Sequence, residues 1–545
     1  MILWHKPAGR TTDRPYHCGV NSGVDAVAGR TVYRGQTSGD VDVWRGIRYA
    51  TPPTGDLRWR RARPLEPESG TVDATAFGAA APQEVNPGVP MSPDAIKSED
   101  CLFLNVWAPS GAAGDGRRLP VMVWIHGGAY VFGAGTQPIY DGAHLASTQN
   151  IVVVTLNYRL GALGFADLGA GGSGAGGVSD SAAGGRYETN AALSDVLTAL
   201  RWVADTIDAF GGDPDNVTVA GESAGGGIVT TLLTMPLARG LFHRAVAQSS
   251  PVTSVYDRAR AAYVAERLTA AVGGTCGDID SFAALDTDKV VAATMKAFTG
   301  VPAAHPGTIP FSPVVDGDLV PRHPIDVYRD GESLPIPLLI GTNRDEAALF
   351  KFMKSPLMPI AEPAIMQMFT AIATEYPEVS IPTAERVAAA YPGTKAKSMG
   401  LDVARDMAFR MPTVWAAEGH AGVAPVHLYR FDWSTRLLRV MGIRASHATE
   451  VPYLFGYFPS GKAGFQFWLG GRRIGERIAA DMQARWGSFI RDGDPNSGLD
   501  STASTWPTFT TDRRATLVID AHDSVVDDLD GSLREAWGDE VLGFR

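Results

Sequence analysis

The sequence predicts an α/β fold in which helices cover both faces of a central, mostly parallel sheet. Two observations predict this class. Short apolar runs recur along the chain without the polar–apolar alternation of half-exposed strands, which is typical of strands buried on both faces. Segments with apolar residues at helical spacing lie between these runs. Such an alternation of strands and helices is typical of a parallel sheet.

The predicted strands are short runs rich in Val, Ile and Leu. They cover 121–125, 151–156, 217–220, 337–340 and 426–429. Apolar residues at i+3 and i+4 spacing predict a helix over 193–210, ended by Gly211 and Gly212, and a second helix over 474–489. Further helical and loop regions between the strands are expected to surround any site at the strand ends.

Composition and charge exclude some functions. The 545 residues carry 48 Lys and Arg against 59 Asp and Glu, a net charge of −11 that disfavours nucleic acid as a partner. No apolar stretch reaches the roughly 18 residues of a membrane span. Without a linker or a repeat, the chain is predicted to form a single domain over 1–545. It would have a flexible N-terminal extension over 1–20 and a helical insertion over about 347–420.

The cysteines and the N-terminus indicate a compartment. The three cysteines are an odd number and are widely spaced, so we expect free thiols in a reducing environment. The apolar start of the chain is too short for a signal peptide. A cytoplasmic protein is therefore expected, with secretion as the alternative if a signal has been removed. We expect a monomer or a small homo-oligomer.

The segment 169–186 consists largely of Gly, Ser and Ala. Such a composition buries little apolar surface, and glycine is costly to order. We expect a mobile flap near the mouth of a site, with a plain surface loop as the alternative.

Residues 221–225 read Gly-Glu-Ser-Ala-Gly and form a candidate catalytic motif. A strand-like run precedes them and a helix-like run follows, which is the context of a G-x-S-x-G nucleophile elbow. In such a turn the serine, here Ser223, is exposed at the sheet edge, and the N–H groups that open the helix are free. The alternative is a glycine-rich helix start without catalytic function.

A serine nucleophile needs oxyanion donors, an acid and a base. His126-Gly127-Gly128 follows the strand 121–125 and can supply N–H donors, completed by Ala224, unless it is an ordinary turn. The acid candidates are Glu346, Asp345 and Asp316, and position alone does not choose among them. The base candidate is His447, in a loop after a late strand; a solvated or core histidine is the alternative.

Several ordered stretches resemble one family along nearly the whole chain. They are WRGIRYATPPTG at 44–55, SEDCLFLNV at 98–106, NYRLGALGF at 157–165, FGGDPDNVT at 210–218, FHRAVAQS at 242–249, and GDPN at 493–496 with WP at 506–507. With these motifs the chain resembles the type-B carboxylesterases of the cholinesterase and para-nitrobenzyl esterase family, which have the α/β-hydrolase fold.

The resemblance implies a serine carboxylesterase that hydrolyses small-molecule esters through an acyl-enzyme. The family's acid is the glutamate of an Asp-Glu pair, which falls on Glu346, and its histidine precedes an E-x-P-[YF]-x-F-G run, which falls on His447. The implied triad is Ser223, Glu346 and His447, with Gly127, Gly128 and Ala224 as the oxyanion hole and no metal or cofactor.

Some features depart from the family or stay open. Ala81 stands where the family usually has a cysteine, so Cys101 lacks that partner. Four aromatic residues flank the motifs and are candidates for the substrate pocket, with core packing as the alternative: Tyr130, Phe132, Phe311 and Phe350. A non-catalytic binding module is the second function class, and activity on amides, carbamates or polymer esters is not separated from ester hydrolysis.

Overall fold

The structure is a computed structural model, which describes residues 22–66, 69–169, 186–273, 278–391, 396–461, 464–499, 504–538 and 542–543. The predicted N-terminal extension and all but the two end residues of the glycine-rich segment lie outside this part of the chain.

One large sheet organises the molecule. Its strands are β1 (Ser22–Ala28), β2 (Thr31–Ser38), β3 (Val41–Arg48), β4 (Gly70–Asp73), β5 (Phe103–Pro109), β6 (Leu119–Ile125), β7 (Val152–Leu156), β8 (Gly212–Glu222), β9 (Arg244–Gln248), β10 (Leu338–Asn343), β11 (Val426–Phe431), β12 (Thr516–Ile519) and β13 (Ser524–Val526). Their order is β1-β2-β3-β5-β7-β6-β8-β9-β10-β11-β12-β13, with β4 beside β2.

The centre of the sheet is parallel and its two ends are antiparallel. Every neighbouring pair from β7 through β6 and β8 to β12 is parallel. On one side β1, β2, β3 and β5 join antiparallel, and on the other side β13 does. The predicted α/β class with a mostly parallel sheet is confirmed.

The helices lie between and beyond the strands. They are α1 (Ala143–Gln149), α2 (Gly161–Phe165), α3 (Ala191–Thr206), α4 (Ala224–Leu232), α5 (Arg258–Ala271), α6 (Ile279–Ala283), α7 (Thr287–Ala304), α8 (Pro324–Arg329), α9 (Ala347–Met353), α10 (Glu362–Glu375), α11 (Ala384–Ala389), α12 (Ala396–Arg405), α13 (Met411–His420), α14 (Arg436–Val440), α15 (Val451–Leu454), α16 (Arg472–Asp492) and α17 (Gly531–Trp537).

The central strand β6 explains why its sequence lacks alternation. Val121, Val123 and Ile125 join the larger hydrophobic core on one face of the sheet. Met122 and Trp124 join a second core on the other face. Since both faces of the strand are covered, every side chain from position 121 to 125 is apolar.

One boundary differs from its prediction. The helical pattern over 193–210 becomes α3 followed by a short 3₁₀ turn over Ile207–Phe210. Gly211 ends this turn with a φ of 81°, as expected of a glycine after a helix. Gly212, however, is already the first residue of β8. The chain therefore enters β8, the strand that leads to Ser223, at once and without a loop.

A group of helices fills the chain between β10 and β11. It comprises α9 to α13, with a π-helical stretch over Asp406–Arg410 between the last two. A π-helical turn shifts the following side chains relative to a regular helix and often occurs at functional sites. In this chain the stretch carries Phe409, whose ring centroid lies 4.7 Å from that of His447.

Cys101 is unpaired and fully buried, and burial raises the pKa of its thiol far above the ordinary value. Cys18 and Cys276 lie outside the described residues, so the absence of disulfides stays a prediction. Within the described ranges, the helices are all too short or too polar to cross a membrane.

Candidate active site

Ser223 occupies a strained turn between β8 and α4. Its φ of 57° and ψ of −124° are unusual for a residue with a Cβ atom and cost on the order of 1–3 kcal/mol. The strand and helix approach too closely for side chains at the flanking positions. A Cβ atom on Gly225 would lie 2.0 Å from the carbonyl oxygen of Ile125. The geometry is therefore that of a nucleophile elbow, with Ser223 held at the end of the strand.

The glycine loop after β6 lies against this turn. A Cβ atom on Gly127 would be 3.0 Å from the Cβ of Ser223 and 2.7 Å from the carbonyl oxygen of Glu222. Gly128 has a φ of 121°, a conformation that other residues avoid. Among the described residues, no acceptor is recorded for the N–H groups of Gly127 and Gly128. The N–H of Ala224 opens α4, so it too has no partner within the helix.

His126 is a buried residue that packs within this loop. Its Nδ1 donates to the carbonyl oxygen of Gly127 at 2.9 Å, and its ring stacks on Tyr158 with centroids 4.4 Å apart. Burial lowers the pKa of His126 to about 4, so the ring is neutral at pH 7. A neutral ring adds no charge beside the two free glycine N–H groups.

Glu346 and His447 form a buried pair. The Nδ1 of His447 lies 2.7 Å from Oε2 of Glu346, and the glutamate is fully buried. The other carboxylate oxygen, Oε1, accepts hydrogen bonds from the hydroxyl of Ser249 and the backbone N–H of Asn343, both at 2.6 Å. These donors fix the carboxylate, which in turn orients the imidazole so that Nε2 is on the opposite ring edge.

Glu222 is a site residue that the sequence analysis missed. Its Oε1 lies 3.2 Å from Nε2 of His447, and its side chain lines the same cavity as Ser223. Burial raises the pKa of Glu222 to about 8, although the charge of His447 opposes the rise. Burial alone would lower the pKa of His447, but Glu222 and Glu346 outweigh it and raise the pKa to about 9. The two groups therefore titrate as a coupled pair.

A further buried carboxylate, Glu450, shares the hydrogen-bond partner Asn343 with Glu346. It accepts hydrogen bonds from the side-chain amides of Gln248, at 3.0 Å, and Asn343. Burial and the nearby charge of Glu346 raise its pKa. Glu450 begins the E-x-P-Y motif. The motif predicts the position of the histidine but not these hydrogen bonds of Glu450.

The other two acid candidates lie apart from the histidine. Asp345 forms an ion pair with Arg444, 3.3 Å away. Asp316 is buried and accepts hydrogen bonds from the backbone N–H of Val320, at 2.9 Å, and the side-chain amide of Asn190, also at 2.9 Å. Among these three carboxylates, Glu346 is the one hydrogen-bonded to His447.

Two cavities open beside Ser223. The smaller has a volume of about 90 Å³ and is lined mainly by apolar side chains, among them Met358, Met368 and Met407. The larger has a volume of about 380 Å³ and includes Glu222 and His447 in its wall. Both cavities are lined by Ala129, Ser223, Phe350 and Leu357. His447 and Glu222 line the larger cavity and not the smaller one.

Three of the four aromatic pocket candidates lie at these cavities. Tyr130 lines the smaller one, Phe132 the larger one, and Phe350 both. Phe311 lines neither cavity and is fully buried in the larger core. The chain bends at Pro310 and Phe311, so the ring joins the core while Ile309, just before the bend, reaches the cavity.

No group of three or more His, Cys, Asp or Glu side chains in the described ranges is arranged to hold a metal ion.

The model of the carboxylesterase family matches residues 20–536 of the chain. Para-nitrobenzyl esterase of Bacillus subtilis (strain 168) is 34% identical over 508 residues, covering 92% of this chain and 96% of that protein. Phenmedipham hydrolase of Pseudarthrobacter oxydans is 33% identical over 494 residues, covering 88% of this chain and 91% of that protein.

The solved structures agree with the sequence relatives. A thermophilic para-nitrobenzyl esterase superimposes with a TM-score of 0.79 at 31% identity, covering 94% of this chain and 99% of the other. A carboxylesterase of Geobacillus stearothermophilus superimposes with a TM-score of 0.77 at 33% identity, covering 94% and 100%. The fold is thus that of the α/β-hydrolases. The chain belongs to the carboxylesterase family and is a carboxylic ester hydrolase, which confirms the resemblance seen in the sequence.

Proposed function

We propose that the chain hydrolyses small-molecule carboxylic esters in two acyl-transfer steps, with Ser223 as nucleophile, His447 as general base and acid, and Glu346 as the orienting acid. The observation that carries this proposal is the 2.7 Å contact between His447 and the buried Glu346, in the wall of a cavity that also contains Ser223. No metal or cofactor is needed for this chemistry.

In the first step, His447 Nε2 takes the hydroxyl proton of Ser223 as the serine oxygen attacks the ester carbonyl. The carbonyl oxygen becomes an oxyanion, which the N–H groups of Gly127, Gly128 and Ala224 stabilise. His447 then gives its proton to the leaving alcohol, and the acyl group stays on Ser223. In the second step, His447 takes a proton from a water molecule as the water oxygen attacks the acyl carbon. The bond from the acyl carbon to the Ser223 oxygen then breaks, His447 returns the proton to that oxygen, and the acid is released.

The two cavities divide the substrate between them. The leaving alcohol has to receive its proton from His447, and His447 lines the larger cavity. We therefore assign the alcohol to the larger cavity and the acyl chain to the smaller one, whose wall is mostly apolar. Apolar acyl chains gain free energy from burial there, by roughly 0.8 kcal/mol for each CH₂ group.

Ser223→Ala tests the proposal. Hydrolysis of p-nitrophenyl butyrate should fall by at least about 10⁴-fold, because triad residues act as a unit. Ser147→Ala is the matched control: Ser147 is exposed on α1 and lines neither cavity, so its loss should change kcat/KM little. A fluorophosphonate should label wild type at Ser223, as read by peptide mass spectrometry, and leave Ser223→Ala unlabelled.

Near-wild-type turnover by Ser223→Ala would contradict the proposal. A folded wild-type protein that neither turns over esters nor takes the label would favour a binding module. Hydrolysis of amides, carbamates and polymer esters, measured beside simple esters, determines which bonds the enzyme cleaves. The ratios of kcat/KM compare how well the transition state of each substrate is stabilised.

A further inference from the structure

The segment after α17 reaches the smaller cavity. Leu542 and Gly543 belong to its wall, together with Ser223. Leu542 is only 1% exposed and is part of the larger hydrophobic core. Nothing in the sequence motifs or the proposed mechanism accounts for an apolar side chain from this part of the chain beside the nucleophile.

Contacts just before Leu542 and Gly543, and within this pair, link it to other parts of the protein. Before it, the indole N–H of Trp537 donates to the hydroxyl of Tyr391 at 3.1 Å, and the Trp537 ring lies 6.2 Å from that of Phe369 on α10. Within it, a Cβ atom on Gly543 would lie 3.3 Å from Cβ of Thr253, another residue of the cavity wall. Leu542 is therefore packed against other parts of the protein and shielded from solvent.

Part of the wall to which Leu542 belongs comes from the helices between β10 and β11. Met368 and Ile372 on α10 and Met407 on the π-helical stretch line the same cavity. The contact between Trp537 and Phe369 ties the C-terminal segment to α10. Leu542 and α10 thus both bound the cavity, and its size depends on the side chains that each contributes.

We propose that Leu542 is a specificity-determining residue that limits the size of the acyl group. The inference rests on the proposed function, because it requires the acyl chain to occupy the smaller cavity. The substrate class is carboxylic esters of short, apolar acids. Replacement of Leu542 by Ala removes about three carbon atoms from the wall, which creates room for a correspondingly longer chain.

The test is a series of p-nitrophenyl esters from acetate to octanoate, with the alcohol held constant. In Leu542→Ala, kcat/KM for octanoate relative to acetate should rise by about 10-fold over wild type. Each further methylene group that fits into an apolar pocket changes kcat/KM by about 10-fold or more. In Leu542→Trp the same ratio should fall. Leu542→Val, which removes less volume, should give a smaller rise and guards against loss of folding in the alanine variant.

Two controls separate specificity from stability. Leu533→Ala truncates a partly buried leucine of α17 that is not part of the cavity wall and should leave the acyl ratio unchanged. A series of butyrates with alcohols of increasing size should respond to none of the Leu542 variants. Circular dichroism and the melting temperature establish that each variant is folded.

Folded Leu542→Val and Leu542→Trp variants with the wild-type acyl ratio would overturn the inference. A change in the alcohol series in place of the acyl series would also overturn it. In either case, loss of all ester hydrolysis in Ser223→Ala would leave the proposed function intact. If wild type hydrolyses no ester of the series and Ser223 takes no label, the proposed function itself fails.

Discussion

The Oε1 atom of Glu222 lies 3.2 Å from Nε2 of His447, on the ring edge opposite the one that contacts Glu346. The imidazole is therefore placed between two carboxylates, and its protonated form is stabilised from both sides. Since Glu222 directly precedes Ser223, the same turn that positions the serine also positions this second carboxylate.

The first prediction concerns the pH dependence of catalysis. The charge of Glu222 raises the pKa of His447, and the base must be neutral to act. Glu222→Gln removes this charge, so the pKa of His447 should fall and the acid limb of the kcat/KM profile should move to lower pH by about one pH unit. Glu450→Gln, which removes a carboxylate that does not contact His447, should move the limb less. An acid limb that stays in place or moves to higher pH would contradict this assignment.

The second prediction concerns the orienting acid. Glu346→Gln should lower kcat/KM for p-nitrophenyl butyrate by about 10³- to 10⁴-fold, because the amide no longer stabilises the imidazolium. Asp345→Asn should retain activity within about threefold, since Asp345 pairs with the exposed Arg444 and not with His447. Asp316→Asn should lower the melting temperature more than kcat/KM. The reverse ranking of the three variants by activity would assign the acid to another residue.

The third prediction concerns the close approach at the nucleophile elbow. Gly225→Ala places a Cβ atom 2.0 Å from a backbone oxygen, which cannot move aside as a side chain can. We expect loss of activity and a melting temperature lowered by at least about 5 °C. Gly300→Ala on α7 is the matched control: no atom lies within 4 Å of the new Cβ, so stability should rise by about 0.5–1 kcal/mol. A stable, active Gly225→Ala variant would show that this turn has room for a side chain, which would contradict the prediction.

The fourth prediction concerns the buried ion pair of the NYRLG stretch. Arg159 donates to Asp195 at 2.6 Å, and both side chains are almost fully buried. Asp195→Asn leaves the guanidinium buried without a counter-charge, so the free energy of unfolding in urea should fall by about 3–5 kcal/mol. Asp25→Asn breaks the exposed pair with Arg34 and should cost less than about 1 kcal/mol. Equal losses in the two variants would contradict the assigned role of burial.

The parts of the site that sequence reasoning predicted are those with a local signal. Ser223 stands in a turn whose glycines are dictated by backbone contacts, and the strand β6 is apolar at every position because both of its faces are covered. The choice of Glu346 over Asp345 came from the family resemblance, since adjacent carboxylates look alike in a sequence. The structure separates them by burial and by the contact to His447.

The parts that were not predicted depend on contacts between distant segments. Gln248 meets Glu450 across 202 positions, and neither residue carries a periodic or motif signal that points to the other. The same holds for Leu542 at the smaller cavity. Phe311 shows the opposite limit: proximity to the motifs suggested the pocket, while the structure places its ring in the core.

The insertion over 347–420, between β10 and β11, contains none of the three proposed triad residues but contributes to the wall of the smaller cavity. Ser223, Glu346 and His447 lie on strand ends or on loops outside 347–420, whereas Met368 and Met407 of the smaller cavity lie within it. An exchange of this stretch between relatives would therefore replace part of the cavity wall and leave the proposed triad residues of the host in place. Such a chimaera has to preserve contacts of this stretch besides the two splice points, among them those of Phe369 and Tyr391 with Trp537 and that of Phe409 with His447. The C-terminal part of the host therefore has to fit against the donor's helices.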